Sequence, residues 1–225
     1  MSALVLGATG LCGGGFLKEA EKTGKFNTIV TLTRRALPKS DSIATQIVEP
    51  DNSKWSHLIP ENTKYLFTGL SMTSYALGGF DNQYKIDHDL NLELAKAAKA
   101  KGCSTIVVVS SDRASLDSRF SYMRMKGEIE RDIVALDFDH TIILRPGILL
   151  GERDPQTAHK SFTHDAMRMI GGMFYRSRLA WLAEYPIYGD EVGKVGVHLA
   201  LNKDGEKVQI LESKEILDIA AGLSK

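Results

Sequence analysis

Tyr122-Met123-Arg124-Met125-Lys126 sets a phenol and an ammonium four residues apart, and Ser111, second of the Ser110-Ser111 pair, lies eleven residues upstream of the tyrosine. Residues four apart on a helix share a face, so the two groups point the same way. A phenol is a poor acid or base at neutral pH, but an ammonium beside it favours the ionised form and brings proton transfer within reach. A serine hydroxyl closing a neighbouring strand would orient a substrate carbonyl. Ser111, Tyr122 and Lys126 together therefore suit proton transfer at a carbonyl oxygen, whereas the Y-x-x-x-K spacing alone also fits an ordinary amphipathic helix.

A second stretch, Leu4-Val5-Leu6-Gly7-Ala8-Thr9-Gly10-Leu11-Cys12-Gly13, suits a different task. An apolar strand ends at Gly7, and glycines at positions 7, 10 and 13 precede an apolar-periodic helix running from Leu11 to about Lys22. A pyrophosphate must come within hydrogen-bonding reach of main-chain N–H groups at a helix N-terminus, where the helix dipole favours negative charge. Gly7 allows the sharp turn off the strand, Gly10 lets the backbone meet phosphate, and Gly13 lets the helix pack closely. Gly14 and Gly15 exceed this need and carry a helix penalty of roughly 1 kcal/mol each, which points to close packing. A glycine-rich turn without a ligand is the plain alternative.

The elements that must hold these groups follow in order. Thr28 to Thr33 reads as a second strand ending on Arg34-Arg35, where a Rossmann protein selects its dinucleotide. An arginine fork matches a 2′-phosphate, and no acid is present to take a ribose hydroxyl, so NADP(H) is the expected cofactor. Two solvated arginines are the bland reading. Ala44 to Val48 forms a short third strand, with Asp51 beyond it near the expected adenine, while Trp55 and His57 read as packing and surface.

Lys64 to Thr68 is a fourth strand whose end, Gly69-Leu70, would face the glycine loop across the cleft. A helix from Asp81 to Lys101 carries an apolar stripe of Leu90, Leu94, Ala97 and Ala98; its charged residues read as a solvated face, and Gly102 stops it. Ser104 to Ser111 is a buried strand, and the helix bearing Tyr122 runs to about Leu136. Thr141 to Leu144 then leads into Arg145-Pro146-Gly147-Ile148, where proline would turn the chain beneath a nicotinamide and the Ile148 N–H would meet its carboxamide. Arg145 reads as structural.

From Glu152 to Tyr185 strand character is lost. Met167, Met169, Ile170, Met173 and Phe174 suggest an amphipathic helical piece, and Tyr175, Arg176, Arg178 and Trp181 follow it. Such a segment would cover a substrate or touch a membrane surface, with lid and core packing the favoured reading. Tyr185 to Tyr188 adds a short strand, Asp190 caps a helix running to Leu201, and Val208 to Leu211 is a late strand before a terminal helix near Ser213. The predicted architecture is α/β: a Rossmann-like doubly wound parallel sheet in a single domain over residues 1–225, with residues 152–225 contributing a small lid or substrate region.

Composition narrows the partners. The chain has 225 residues with 28 basic and 28 acidic side chains, so bulk charge gives no reason to expect nucleic acid. Cys12 and Cys103 lie far apart, and six histidines are scattered, which suggests neither a disulfide framework nor a metal site. No apolar run approaches the roughly 18 residues of a membrane span. No positive charge precedes Lys18, so a leader peptide is not expected and any membrane residence would be peripheral.

Taken together these segments resemble the short-chain dehydrogenase/reductase superfamily, and more narrowly its atypical branch related to the HIV Tat-interacting protein with an oxidoreductase-like fold. The stretches Leu4 to Gly15, Tyr84 to Leu92, Ile142 to Gly147 and Tyr188 to Lys194 are similar to the fungal members of that branch. The resemblance implies an NADPH-binding protein attached peripherally to the mitochondrial outer membrane, a cytoplasmic location being the alternative. It implies a pyrophosphate loop of Gly7, Thr9, Gly10, Leu11 and Cys12, a 2′-phosphate site at Arg34 and Arg35, and a catalytic set of Ser111, Tyr122 and Lys126. Gly13, Gly69, Leu70, Tyr122, Lys126, Pro146, Gly147 and Ile148 complete the expected cofactor contacts.

Two departures flank the expected substrate mouth: Ser71-Met72-Thr73-Ser74 lacks the Gly-Thr-Thr-Arg pattern of the relatives, and Asp112-Arg113 replaces a small turn. Two functions are open at this point. One is an NADPH-dependent reductase of a small carbonyl substrate; the other is an NADP(H)-bound adaptor that presents a surface to a protein partner or membrane.

Overall fold

The computed structural model describes residues 1–37, 42–72, 78–151, 172–177, 179–202 and 204–223. Strand β1 (Ser2–Leu6) leads through the glycine turn into helix α1 (Leu11–Thr23), then β2 (Thr28–Thr33) and β3 (Thr45–Val48). A short helix α2 (Trp55–Leu58) precedes β4 (Tyr65–Thr68). Next comes a long helix in three parts: α3 (Phe80–Tyr84), a π-helical stretch (Lys85–Leu90) and α4 (Asn91–Ala100). Strand β5 (Thr105–Val109), helix α5 (Ser121–Ala135) and β6 (His140–Arg145) follow. The chain closes with β7 (Leu149–Leu150), a 3₁₀ turn (Ala180–Ala183), β8 (Ile187–Tyr188), α6 (Gly189–Leu201), β9 (Val208–Glu212) and α7 (Ser213–Gly222).

Seven strands form one parallel sheet in the order β3-β2-β1-β4-β5-β6-β9. The chain winds outward from β1 to β3, then returns to place β4 on the other side of β1. The loops leaving β1 and β4 therefore part at one point, which is where open α/β sheets form their binding crevice. The Rossmann-like doubly wound expectation is met.

Side-chain alternation explains why helices cover both faces. Val5, Phe67, Val107 and Ile142 belong to one buried cluster with α1, α6 and α7. Leu4, Leu6, Leu66, Ile106 and Val108 belong to the other, with α2, α4 and α5. A strand buried on both faces must be apolar at nearly every position, as these are. Helices α1 and α6 approach closely through glycine: a Cβ on Gly15 would overlap the Gly189 backbone, and one on Gly193 the Gly15 backbone. Gly15 is thus the packing glycine that its excess over the phosphate motif suggested.

Two expectations change. The helix from Gly189 is capped by Glu191, whose Oε2 accepts the Tyr188 N–H at 3.1 Å, and not by Asp190, which pairs instead with Lys18 on α1. The short strand expected over Tyr185 to Tyr188 contracts to Ile187–Tyr188 and pairs with Leu149–Leu150 in a separate two-stranded sheet. Of the amphipathic piece, Met167, Met169 and Ile170 lie outside the described residues, as does Arg178.

Candidate active site

The glycine turn distinguishes crowding by the protein from space kept open. Gly7 has φ +73°, and a Cβ there would stand 2.8 Å from the Gly69 carbonyl. A Cβ on Gly13 would overlap the Gly7 carbonyl, and one on Gly69 would stand 2.7 Å from the Gly13 nitrogen. These three positions lock the β1 and β4 loops together. Gly10 differs: among the described residues a Cβ there meets only the Gly7 carbonyl oxygen, at 3.3 Å.

Gly10 is also the N-cap of α1, gives no side-chain cap, and the first turn carries no acid. A helix start with neither a side-chain cap nor an acid in its first turn fits an anionic phosphate group. Thr9, Leu11 and Cys12 stand in this turn, Cys12 being buried. Arg34 and Arg35, just past β2, are exposed, and Arg34 Nη2 meets Met72 Sδ at 3.3 Å. Asp51, placed near the expected adenine, turns back on its own loop and accepts the Ser53 N–H at 3.1 Å.

Tyr122 is the second residue of α5, and Lys126 lies one turn on. Lys126 Nζ sits 5.6 Å from the centre of the Tyr122 ring, so the two groups do share a face. The lysine is 2% exposed and pairs with Asp87 Oδ2 at 3.4 Å. Burial alone would pull its ammonium down, but Tyr122 and Asp87 outweigh that and hold it above the ordinary lysine value.

Asp87 belongs to the helix whose charges the sequence suggested were solvated, and this is a correction. Its side chain is fully buried; Ser71 Oγ donates to Oδ2 at 2.5 Å and the Met72 N–H to Oδ1 at 2.8 Å. His88, next to it, is also buried, its Nδ1 2.9 Å from Asp89 and its Nε2 3.1 Å from Asp132 of α5. Tyr84 donates to Glu128 of α5 at 2.9 Å, and burial first, then Glu128, pushes its phenol up to about 12.

The long helix is thereby fastened to α5 on both sides of Asp87. π-turns inside α-helices recur at functional sites. Asn91 completes the support by donating to Leu70 O at 3.0 Å and accepting from Thr68 Oγ1 at 2.6 Å. Of the departing loop, Ser71 and Met72 are placed, while Thr73 and Ser74 lie outside the described residues.

The adjacent serines differ in their surroundings. Ser110, at the end of β5, is buried and donates to Glu130 of α5. Glu130 also receives Arg145 through two bonds, of 3.0 and 2.6 Å, and Arg145 reaches Glu212 at 2.7 Å. Arg145 is therefore structural, and its guanidinium is held well above its usual range by these carboxylates despite burial. Ser111 is half-buried and outside that network.

Past β6, Pro146 O accepts the Asp112 N–H at 3.0 Å, and a Cβ on Gly147 would overlap the Glu184 carbonyl. Ile148 O accepts the Ile187 N–H at 3.0 Å. Arg113 then bridges to Glu184 at 3.1 Å, joining the loop after Ser111 to the segment before β8. A cleft of about 420 Å³ borders Leu11, Gly151, Tyr175, Tyr188 and the start of α6, and neither Tyr122 nor Lys126 lines it.

The chain is 59% identical to Protein FMP52, mitochondrial, of Saccharomyces cerevisiae, over 100% of this chain and 99% of that one. The chain belongs to the FMP52 family. It is also 55% identical to the Kluyveromyces lactis FMP52 protein, covering 98% and 99% of the two chains. The HIM1 family model matches residues 79–179, a span that contains Asp87, Ser111, Tyr122 and Lys126.

Among solved structures, MoeE5 in complex with UDP-glucose and NAD superposes with a TM-score of 0.68 at 18% identity, over 100% of this chain and 82% of that one. A monomeric L-threonine 3-dehydrogenase gives 0.68 at 13% identity, over 97% and 81%. At these identities the likeness is one of fold: the chain shares the Rossmann-like architecture of these structures.

Asp87 and Glu130 are the site-supporting residues that reading the sequence missed. A signal was present. Gln83, Asp87 and Asn91 recur every fourth position in line with Leu94 and Ala98, and all five are buried. Polar residues that occupy the apolar stripe of a helix are there to meet something polar opposite.

Proposed function

We propose that this chain is an NADP(H)-dependent reductase of a small carbonyl substrate. The observation that carries the reading is a fully buried lysine, paired with Asp87, on the face it shares with Tyr122. MoeE5 was solved with NAD, which supports a nicotinamide dinucleotide in this fold. Gly7, Gly10 and Gly13 shape the phosphate seat, Thr9, Leu11 and Cys12 line it, and Gly69 and Leu70 close it. Arg34 and Arg35 receive the 2′-phosphate, and Pro146, Gly147 and Ile148 border the nicotinamide end.

When bound, the reduced dinucleotide supplies hydride to the carbonyl carbon. Ser111 holds the carbonyl oxygen by donating a hydrogen bond. Tyr122 passes its phenolic proton to that oxygen as it becomes an alkoxide, and the Lys126 ammonium stabilises the phenolate left behind. The test is NADPH oxidation against a carbonyl panel. Tyr122→Phe should lower kcat by about 10²-fold or more with NADPH affinity kept within about threefold; undiminished turnover would remove the tyrosine from the mechanism.

One observation favours a second reading, an NADP(H)-bound adaptor. Leu179, Trp181 and Leu182 are all more than half exposed on one short segment, a display suited to a protein partner or a membrane surface. The relatives are named mitochondrial, and among the described residues no helix is long and apolar enough to cross a membrane. Peripheral attachment at the outer membrane through this segment is the location we propose. If the wild-type protein turns over nothing in the panel while Tyr122→Phe still binds membrane or partner, the adaptor reading replaces the enzyme.

A further inference from the structure

A buried carboxylate is costly unless it is both paired and hydrogen-bonded. Asp87 meets both conditions with three donors from two elements: Lys126 of α5, and the hydroxyl of Ser71 and the N–H of Met72 in the β4 loop. The loop bonds alone do not require a charge, because an asparagine would accept from Met72 and donate to Ser71. The fully buried ammonium does require one. The β4 loop is itself anchored, since Gln83 Nε2 donates to Met72 O at 2.7 Å and Asn91 holds Leu70. The carboxylate is therefore fixed from its own side before it meets the lysine.

We infer that Asp87 is a positioning residue for the Tyr122–Lys126 pair: clamped by Ser71 and the Met72 amide, its carboxylate fixes where Lys126 Nζ stands on the face it shares with the phenol. The inference rests on the reductase reading and adds a residue that acts through Lys126 without touching substrate. The carboxylates of α5 itself have other partners. Glu128 and Asp132 of α5 are taken by Tyr84 and His88, and Glu130 by Ser110 and Arg145. Asp87 is the carboxylate paired with Lys126 among the described residues.

The test uses the full-length chain with ¹⁵N-labelled lysine, the Lys126 Nζ resonance being assigned by its loss in Lys126→Arg. In Asp87→Asn the lysine should lose its proton at least one pH unit earlier than in the parent. NADPH affinity should stay within about threefold, while kcat falls by about 10²-fold with KM little changed. Asp87→Glu, which keeps the charge on a longer arm, should restore the lysine titration and recover part of kcat. An unchanged Lys126 titration in Asp87→Asn overturns the inference.

If the asparagine variant does not fold, Asp87→Glu decides. A kcat about tenfold below the parent with NADPH binding intact supports positioning, and parental kcat contradicts it. The resonance needs no substrate, so a chain that reduces nothing would sink the reductase reading while leaving this measurement able to stand or fall.

Discussion

The two sides of the cleft are built by opposite means. On the β1–β2 side the shape comes from side chains that are missing, at Gly7, Gly10 and Gly13, and the charged residues there, Arg34 and Arg35, face solvent. On the β5–β6 side the shape comes from buried charge: Lys126 with Asp87, and Arg145 with Glu130 and Glu212. The first side should fail when an atom is added, and the second when a charge is removed. Recognition of a constant group such as a phosphate needs close main-chain approach, whereas proton transfer needs a fixed electrostatic setting.

The largest effect should come from violating the first rule. Gly13→Val drives a side chain into the Gly7 carbonyl and should cost ~3 kcal/mol or more of stability, read as the denaturant midpoint. Gly10→Ala sharpens the point, because its Cβ meets a single atom, the Gly7 carbonyl oxygen at 3.3 Å: stability should change by less than about 1 kcal/mol while NADPH affinity falls at least about tenfold. Equal loss of stability in both variants would erase the distinction between crowded and open glycines.

Next comes the charged side. Arg145→Ala leaves Glu130 buried without its guanidinium, and removing one member of such a pair costs ~3 kcal/mol. Thermal unfolding should show the loss, and an unchanged midpoint would mean the network contributes nothing.

What could be read in the sequence follows the same division. The glycine turn and the Tyr122–Lys126 spacing are local patterns whose meaning lies within a few residues, so both were visible. Asp87 looks ordinary among Lys85, Asp89 and Glu93; its role appears only when α5 and the β4 loop close over it. Asp190 misled for the same reason. It has the composition of a cap, but Lys18 on α1 draws it away and Glu191 takes the task. Ser110 and Ser111 are indistinguishable as letters and are separated only by Glu130, which faces the first of them.

The smallest effect should be at Asp112, beside Ser111. Burial first, then Glu184, pushes its carboxyl above the ordinary value of 3.8, against the pull of Arg113. A raised acid costs the folded state stability as pH climbs from the ordinary value through the raised one, and costs nothing below both. Asp112→Asn should therefore add a few tenths of a kcal/mol (about 0.3) at pH 7, after solvent screening, and none at pH 3. Melting curves at the two pH values check the sign, and a gain confined to the acid side would reverse the assignment.

The claim beneath all of this is that a 2′-phosphorylated nicotinamide dinucleotide lies across the glycine turn with Arg34 and Arg35 at one end. Calorimetric titration of the full-length protein with NADPH and NADH tests it most directly. The account predicts one saturable site that prefers NADPH, and a preference that collapses by about 10-fold or more in the Arg34→Ala, Arg35→Ala double variant with stability unchanged. Binding of neither dinucleotide, or equal affinity for both in the parent protein, would contradict it.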